Sequence, residues 1–239
     1  MRITIIGAGF SGSALAAELA RTAPAGVDLC LVGTPDGYGR GVAYGEARPE
    51  HLLNVRAREL GASQDQPGEF ARWLNLTRRA GESFLPRLVY GEYLYSRLQS
   101  AAQVSLAGFN QVQQEAVAVE REGGAFRVTL ADGSDFLTDQ VVLAVRTSHP
   151  LVSQLRDAGT LGADPFGLGV RANARLQVLD RRGDVVDGLY CLGPLLRGQL
   201  WEITAVAELR VAAHQLAAQL LSPAAGRSVR EPLLRARAL

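Results

Sequence analysis

The 239-residue chain is 47% hydrophobic and balances 25 basic against 24 acidic side chains, so it can bury the core of one domain or of two small ones and lacks the charge excess that nucleic acid or an anionic membrane would attract. Every basic side chain is an arginine; with no lysine, Schiff-base catalysis and the phosphate-loop lysine of nucleoside triphosphatases are excluded. Cys30 and Cys191 each sit in an apolar run without metal-ligand spacing and read as buried thiols, and no apolar run approaches the roughly 20 residues of a membrane span. With no cleavage site visible near the N-terminus, a cytoplasmic location is the default expectation.

Arg2 to Ile6 reads as a short buried strand, followed directly by Gly7-Ala8-Gly9-Phe10-Ser11-Gly12 and an alanine- and leucine-rich helix from Ser13 to Ala23. Val27 to Val32 supplies a second strand, which completes a dinucleotide-binding βαβ unit within residues 1–35. Gly7 permits the tight turn, Gly9 lets the backbone approach a pyrophosphate, and Gly12 lets helix and strand pack closely. The helix N-terminus then faces the anion. The acidic residue expected after the second strand is missing: Val32 runs into Gly33, Thr34 and Pro35, with Asp36 the nearest carboxylate. That departure weakens the case for plain NAD more than for a larger dinucleotide with other contacts.

A second glycine cluster, Gly37 to Gly45, and the segment His51 to Val55 show no regular pattern; glycine at this density suits backbone lying against a flat or anionic ligand, with Arg40 within reach of phosphate. Helical spacing follows in Gly68 to Arg79 and Tyr90 to Ala101, giving a helical segment over 68–101. Val112 to Arg121, Phe126 to Leu130 and Ser134 to Leu137 predict a small antiparallel meander over 112–138. Val141 to Val145 reads as a parallel strand buried on both faces, and Thr147 to Gly169 as an irregular crossing segment. Strand-like runs at Ala174 to Asp180 and Leu189 to Leu192 precede the turn Gly193 to Gly198 and a long helix from about Leu200 to Leu221, a second loop-to-helix anion site within 174–221. The tail carries Arg227, Arg230, Arg235 and Arg237, the pattern of a solvated or docked end.

The series GAGFSG, GRGVAYG, HLLNV, FLPRLVYGEYL and LGPLLRGQLWEITAVAELR resembles the bacterial FAD/NAD(P)-binding proteins of the NAD-binding-9 type, relatives of the flavin monooxygenases. The resemblance covers most of the chain. It implies an α/β fold, a Rossmann-type FAD-binding domain over 1–239 with a central parallel sheet and a small antiparallel meander. It implies FAD as cofactor, held at its ADP end by Gly7, Gly9, Phe10, Ser11, Gly12 and Gly33. Arg40, Gly41, Ala43, Tyr44, Asn54 and Val55 would border the flavin, with further contacts from Val117, Ala144, Gly193, Trp201, Ile203 and Thr204. Two departures stand out: the large segment that usually follows the strand matching Val141 to Val145 is missing, and that strand, expected to end in glycine, runs Ala144-Val145-Arg146. No second G-x-G-x-x-G marks a separate NAD(P)H site.

Ser11 lies outside a G-x-S-x-G nucleophile elbow, and His51, His149 and His214 lack metal spacing, so neither a hydrolase nor a metal site is expected. Two classes remain. The first is an FAD-dependent oxidoreductase acting on a small organic molecule, with Glu202, the carboxylate in the first turn of the last helix, as a candidate base. The second is a flavin-binding subunit whose FAD is structural or serves a partner chain. A flavin-free NAD(P) reductase is the remaining alternative. A shortened chain exposing part of its cofactor groove is expected to form a homodimer or a heteromeric complex.

Overall fold

A computed structural model describes residues 1–222; the tail with Arg227, Arg230, Arg235 and Arg237 lies outside the described residues. β1 (Arg2–Ile6) is buried along its whole length, as a run of β-branched side chains in the middle of a parallel sheet must be. α1 (Phe10–Thr22) follows the glycine turn, and β2 (Asp28–Val32) returns parallel to β1 with Ile3 opposite Leu29 and Ile5 opposite Leu31. The expected βαβ unit is therefore present.

After β2 come three short or long helices, α2 (Gly41–Gly45), α3 (Glu69–Trp73) and α4 (Arg87–Val104). Strands β3 (Gly108–Val112), β4 (Ala116–Glu122), β5 (Ala125–Leu130), β6 (Asp135–Thr138) and β7 (Gln140–Leu143) then lead to α5 (Pro150–Asp157). β8 (Gln177–Leu179), β9 (Val185–Cys191) and α6 (Val206–Leu220) complete the described chain. The central sheet runs β3-β2-β1-β7-β9-β8, parallel except for the edge strand β8, while β4, β5 and β6 form a separate antiparallel sheet. This is the expected fold class. None of its described helices is long and apolar enough to cross a membrane.

Several boundaries differ from the sequence reading, each for a local reason. The strand expected over Val112 to Arg121 divides: Val112 pairs with Val32 at the edge of the parallel sheet, whereas the meander starts at Ala116. The apolar alternation runs across both strands and conceals the change of sheet. The segment expected to be irregular contains α5, started by Pro150 at its first position and by the His149 side chain, whose Nδ1 accepts a hydrogen bond from the Leu151 N–H. The helical stretch over 68–101 breaks after Trp73, where Asn75 takes a left-handed conformation (φ 52°). The GRGVAYG segment forms the short α2 rather than an irregular loop. The last helix starts at Val206, so Trp201 to Thr204 form turns ahead of it.

α1 packs against α4 and α6, and the aromatics Phe70, Tyr90 and Tyr93, all fully buried, fill the space beside it. Cys30 and Cys191 are buried strand residues, as expected; burial pushes the Cys30 thiol up to about 12 and that of Cys191 higher still. Position 12 leaves no room for a side chain, because a Cβ there would fall on the Gly7 carbonyl oxygen and crowd Ala144. Gly12→Ala must therefore part α1 from β1, and should cost about 3 kcal/mol or more of stability in urea unfolding. A loss below about 1 kcal/mol would show that the helix can move aside freely.

Candidate functional site

The carboxyl ends of β1, β2 and β7 open into a cavity of about 810 Å³, the place where open α/β sheets bind ligands. Gly7 leaves β1 with φ 107°, a conformation that suits glycine, and its missing side chain makes room for the Ala144 carbonyl at the end of β7. Gly9 plays a different part. It is the N-cap of α1 in an extended conformation, and a Cβ there would meet only the Gly41 Cα, at 3.4 Å. The backbone at Gly9 is thus exposed toward the cavity and covered by the start of α2. α1 has no side-chain cap and no acidic residue in its first turn, so its first N–H groups and positive end are available to an anion.

α2 is held over this turn by aromatic contacts. The Tyr44 ring packs edge-on to Phe10 (6.3 Å between centroids) and to Tyr90 (5.0 Å), and burial pushes its phenol up to about 12, so it stays a neutral hydroxyl. The Arg40 guanidinium bonds Glu92 at 2.7 Å and lies over the Tyr95 ring. One end of the guanidinium is thus paired at the surface, while its buried Nε has no hydrogen-bond partner among the described residues. At the other side of the cavity stand Glu115, Arg146 and His149, the last two following β7. His149 Nδ1 accepts from the Leu151 N–H, which puts the ring proton on Nε2, 3.4 Å from the Glu115 carboxylate.

The NAD_binding_9 family model, described as FAD-NAD(P)-binding, matches residues 4–147. The chain belongs to the FAD-NAD(P)-binding family. The chain shares its fold with a thioredoxin reductase from Gloeobacter violaceus, to which it is 12% identical with a TM-score of 0.57, covering 97% of this chain and 98% of that one. The atypical thioredoxin reductase TRi of Desulfovibrio vulgaris Hildenborough gives a TM-score of 0.55 at 12% identity, over 91% and 96% of the two chains. A flavin-containing monooxygenase from Stenotrophomonas maltophilia is 21% identical with a TM-score of 0.41, over 60% of this chain and 37% of the other. The chain thus spans little more than a third of that monooxygenase. No curated protein sequence matches it.

Of the residues expected to hold the cofactor, the family fold brings Gly7, Gly9, Phe10, Ser11, Gly33, Arg40, Gly41, Ala43, Tyr44, Ala144 and Thr204 into the cavity wall. Others lie outside it. Gly12 serves helix packing, Gly193 supports the α1 turn through close contact with Ser11, and Ile203 is buried in the core. Asn54 and Val55 do not line the cavity; Val117 is exposed on β4, where the neighbouring Glu115 and Ala116 face the cavity instead. Trp201 and Glu202 are exposed in the turns before α6 and also stand clear of the wall, because the helix begins later than its sequence suggests. Sequence reasoning assigned no cofactor contact to Arg146, His149, Glu115, Pro194 or Leu209; for Arg146 the departure from glycine was a visible signal.

Burial holds the His149 imidazole below its ordinary range, Arg146 pushes it the same way, and Glu115 opposes them. The folded protein therefore refuses a proton that the unfolded chain accepts near pH 6.5, so stability is lost as pH falls through and below that value. His149→Asn keeps a capping acceptor without the titration, and its urea midpoint should fall less between pH 7.5 and pH 5 than that of the unmodified protein. Parallel pH curves for the two would refute this.

Proposed function

We propose that this chain is an FAD-dependent oxidoreductase acting on a small organic molecule. The observation that carries the reading is the backbone cradle at Gly9 and Gly41, set before an uncapped helix end inside a cavity of cofactor size. Backbone N–H groups at Phe10 and Ser11 would hold a diphosphate, and Thr34 with Asp36 would meet a ribose where the usual acid after β2 is lacking. At the far side, Pro194, Thr204 and Leu209 bring the start of α6 to the cavity, and its N-terminus, which has no side-chain cap, would favour negative charge there. Bound FAD would supply hydride acceptance from the substrate and onward transfer of electrons.

The residues of the chain set what surrounds that chemistry. Phe10 and Tyr44 provide an aromatic wall, and Tyr44 with its proton retained can donate or accept a hydrogen bond without adding charge. Dithiol exchange is closed to Cys30 and Cys191: they lie on β2 and β9, with β1 and β7 between them, about 14 Å apart at the usual strand spacing, twice the reach of a disulfide. No cluster of ligands for a metal ion occurs among the described residues.

The protein as purified, or after incubation with FAD, should show a flavin absorbance band that stays with it through gel filtration. Gly9→Ala should keep the fold, since its Cβ meets nothing closer than 3.4 Å, and should weaken FAD binding at least about tenfold by blocking the close approach. A chain that binds NAD(P) alone and never FAD would overturn the reading.

A second reading, in which the flavin serves a partner chain, is favoured by one feature. Two loops dock through the Asp164 carboxylate against Gly198, and they expose Phe166 (74%) and Trp201 (63%) to solvent together. We propose that this face joins a homodimer or a heteromeric complex. Light scattering should give a mass above that of one chain, and replacing both aromatics with serine should reduce it; a monomer throughout would refute the assembly.

A further inference from the structure

We infer that Arg146 binds the diphosphate of the dinucleotide through its guanidinium. The inference rests on the cavity being a dinucleotide site. β7 runs parallel to β1, and the Ala144 N–H donates to the Ile6 carbonyl at 2.8 Å, so the end of β7 is fixed beside the glycine turn. Arg146 follows two residues later, in the wall of the same cavity as Gly9 and Ser11. Adjacent strands lie about 4.8 Å apart, which puts this position within an arginine's length of the space before α1.

Charge decides the assignment. Asp36, Glu46 and Glu115 also line the cavity and oppose an anion, while its other cation, Arg40, is bonded to Glu92. Arg146 is exposed and has no ion-pair partner among the described residues. An unpaired guanidinium in a cavity that also holds three carboxylates gives a diphosphate a bidentate partner, and it adds to the N–H groups of the helix end rather than competing with them. His149, on the same segment and bonded toward Glu115, keeps that carboxylate turned to the imidazole.

The test compares ADP, which carries the diphosphate, with adenosine, which does not, by calorimetry on the full chain and on Arg146→Gln. Because Arg146 is exposed, the variant should match the unmodified protein in its urea midpoint. ADP and FAD should bind on the order of tenfold or more weakly to the variant and adenosine within about twofold, and the salt dependence of ADP binding should become shallower. Arg146→Lys should recover part of the loss as a point charge. Unchanged ADP affinity in Arg146→Gln, or an equal loss for adenosine, would overturn the assignment while leaving the FAD reading in place. If the unmodified protein binds neither ADP nor FAD, both readings fall together.

Discussion

Three backbones meet where β1 ends, and the absence of side chains at that point governs the rest of the molecule. Gly7 yields to the Ala144 carbonyl, Gly12 yields to Gly7, and Gly193 yields to the Ser11 side chain. These contacts bind β7, α1 and the turn before α6 to one another within a single turn of chain. A methyl group at Gly7 or Gly12 would push apart the elements that form the cavity floor, whereas one at Gly9 would leave them in place. The spacing of the three motif glycines thus divides between packing and recognition: the outer two secure the scaffold, and the middle one bares the backbone to the ligand.

Much of this was legible in the residues themselves. A buried β-branched strand, a glycine turn and an alanine-rich helix leave few alternatives to a βαβ unit, and the turn signals at Gly123-Gly124 and Gly133 place the meander hairpins where they occur. The boundaries that escaped had physical causes that no local pattern reports. Val112 and Ala116 belong to different sheets, which only the pairing of β3 with β2 reveals. The start of α6 looked earlier because Leu200 to Ala205 is as apolar as a helix, but its residues form turns that bury Ile203 and leave Trp201 outside. Of the expected cofactor residues, Gly7, Gly9, Phe10 and Ser11 on the first glycine turn and Arg40, Gly41, Ala43 and Tyr44 on the second reached the cavity, since their positions follow from backbone geometry, while Gly12 and Gly193 serve packing instead. Asn54, Val55, Val117 and Trp201 did not, nor did the candidate base Glu202, since which way such a residue faces depends on long-range packing.

The cavity combines a helix end that attracts anions with several carboxylates that repel them. A site so balanced can be selective, because a ligand must bring its negative charge to the glycine turn and keep neutral groups elsewhere. The aromatic cluster of Phe10, Tyr44, Tyr90, Phe70 and Tyr93 ties the short α2 to the core through Tyr44.

The connection from β7 to β9 has a consequence for how this architecture changes over evolutionary time. The two strands are hydrogen-bonded neighbours with Val141 opposite Leu189, yet the chain between them first forms α5 and then β8, which pairs antiparallel with β9 at the edge of the same sheet. Its two ends are held side by side by the pairing of β7 with β9, so the exposed turns of the excursion can change in length without altering that register. A lineage could therefore lengthen or shorten those turns while Arg146 and His149, at the start of the excursion, stay beside the glycine turn.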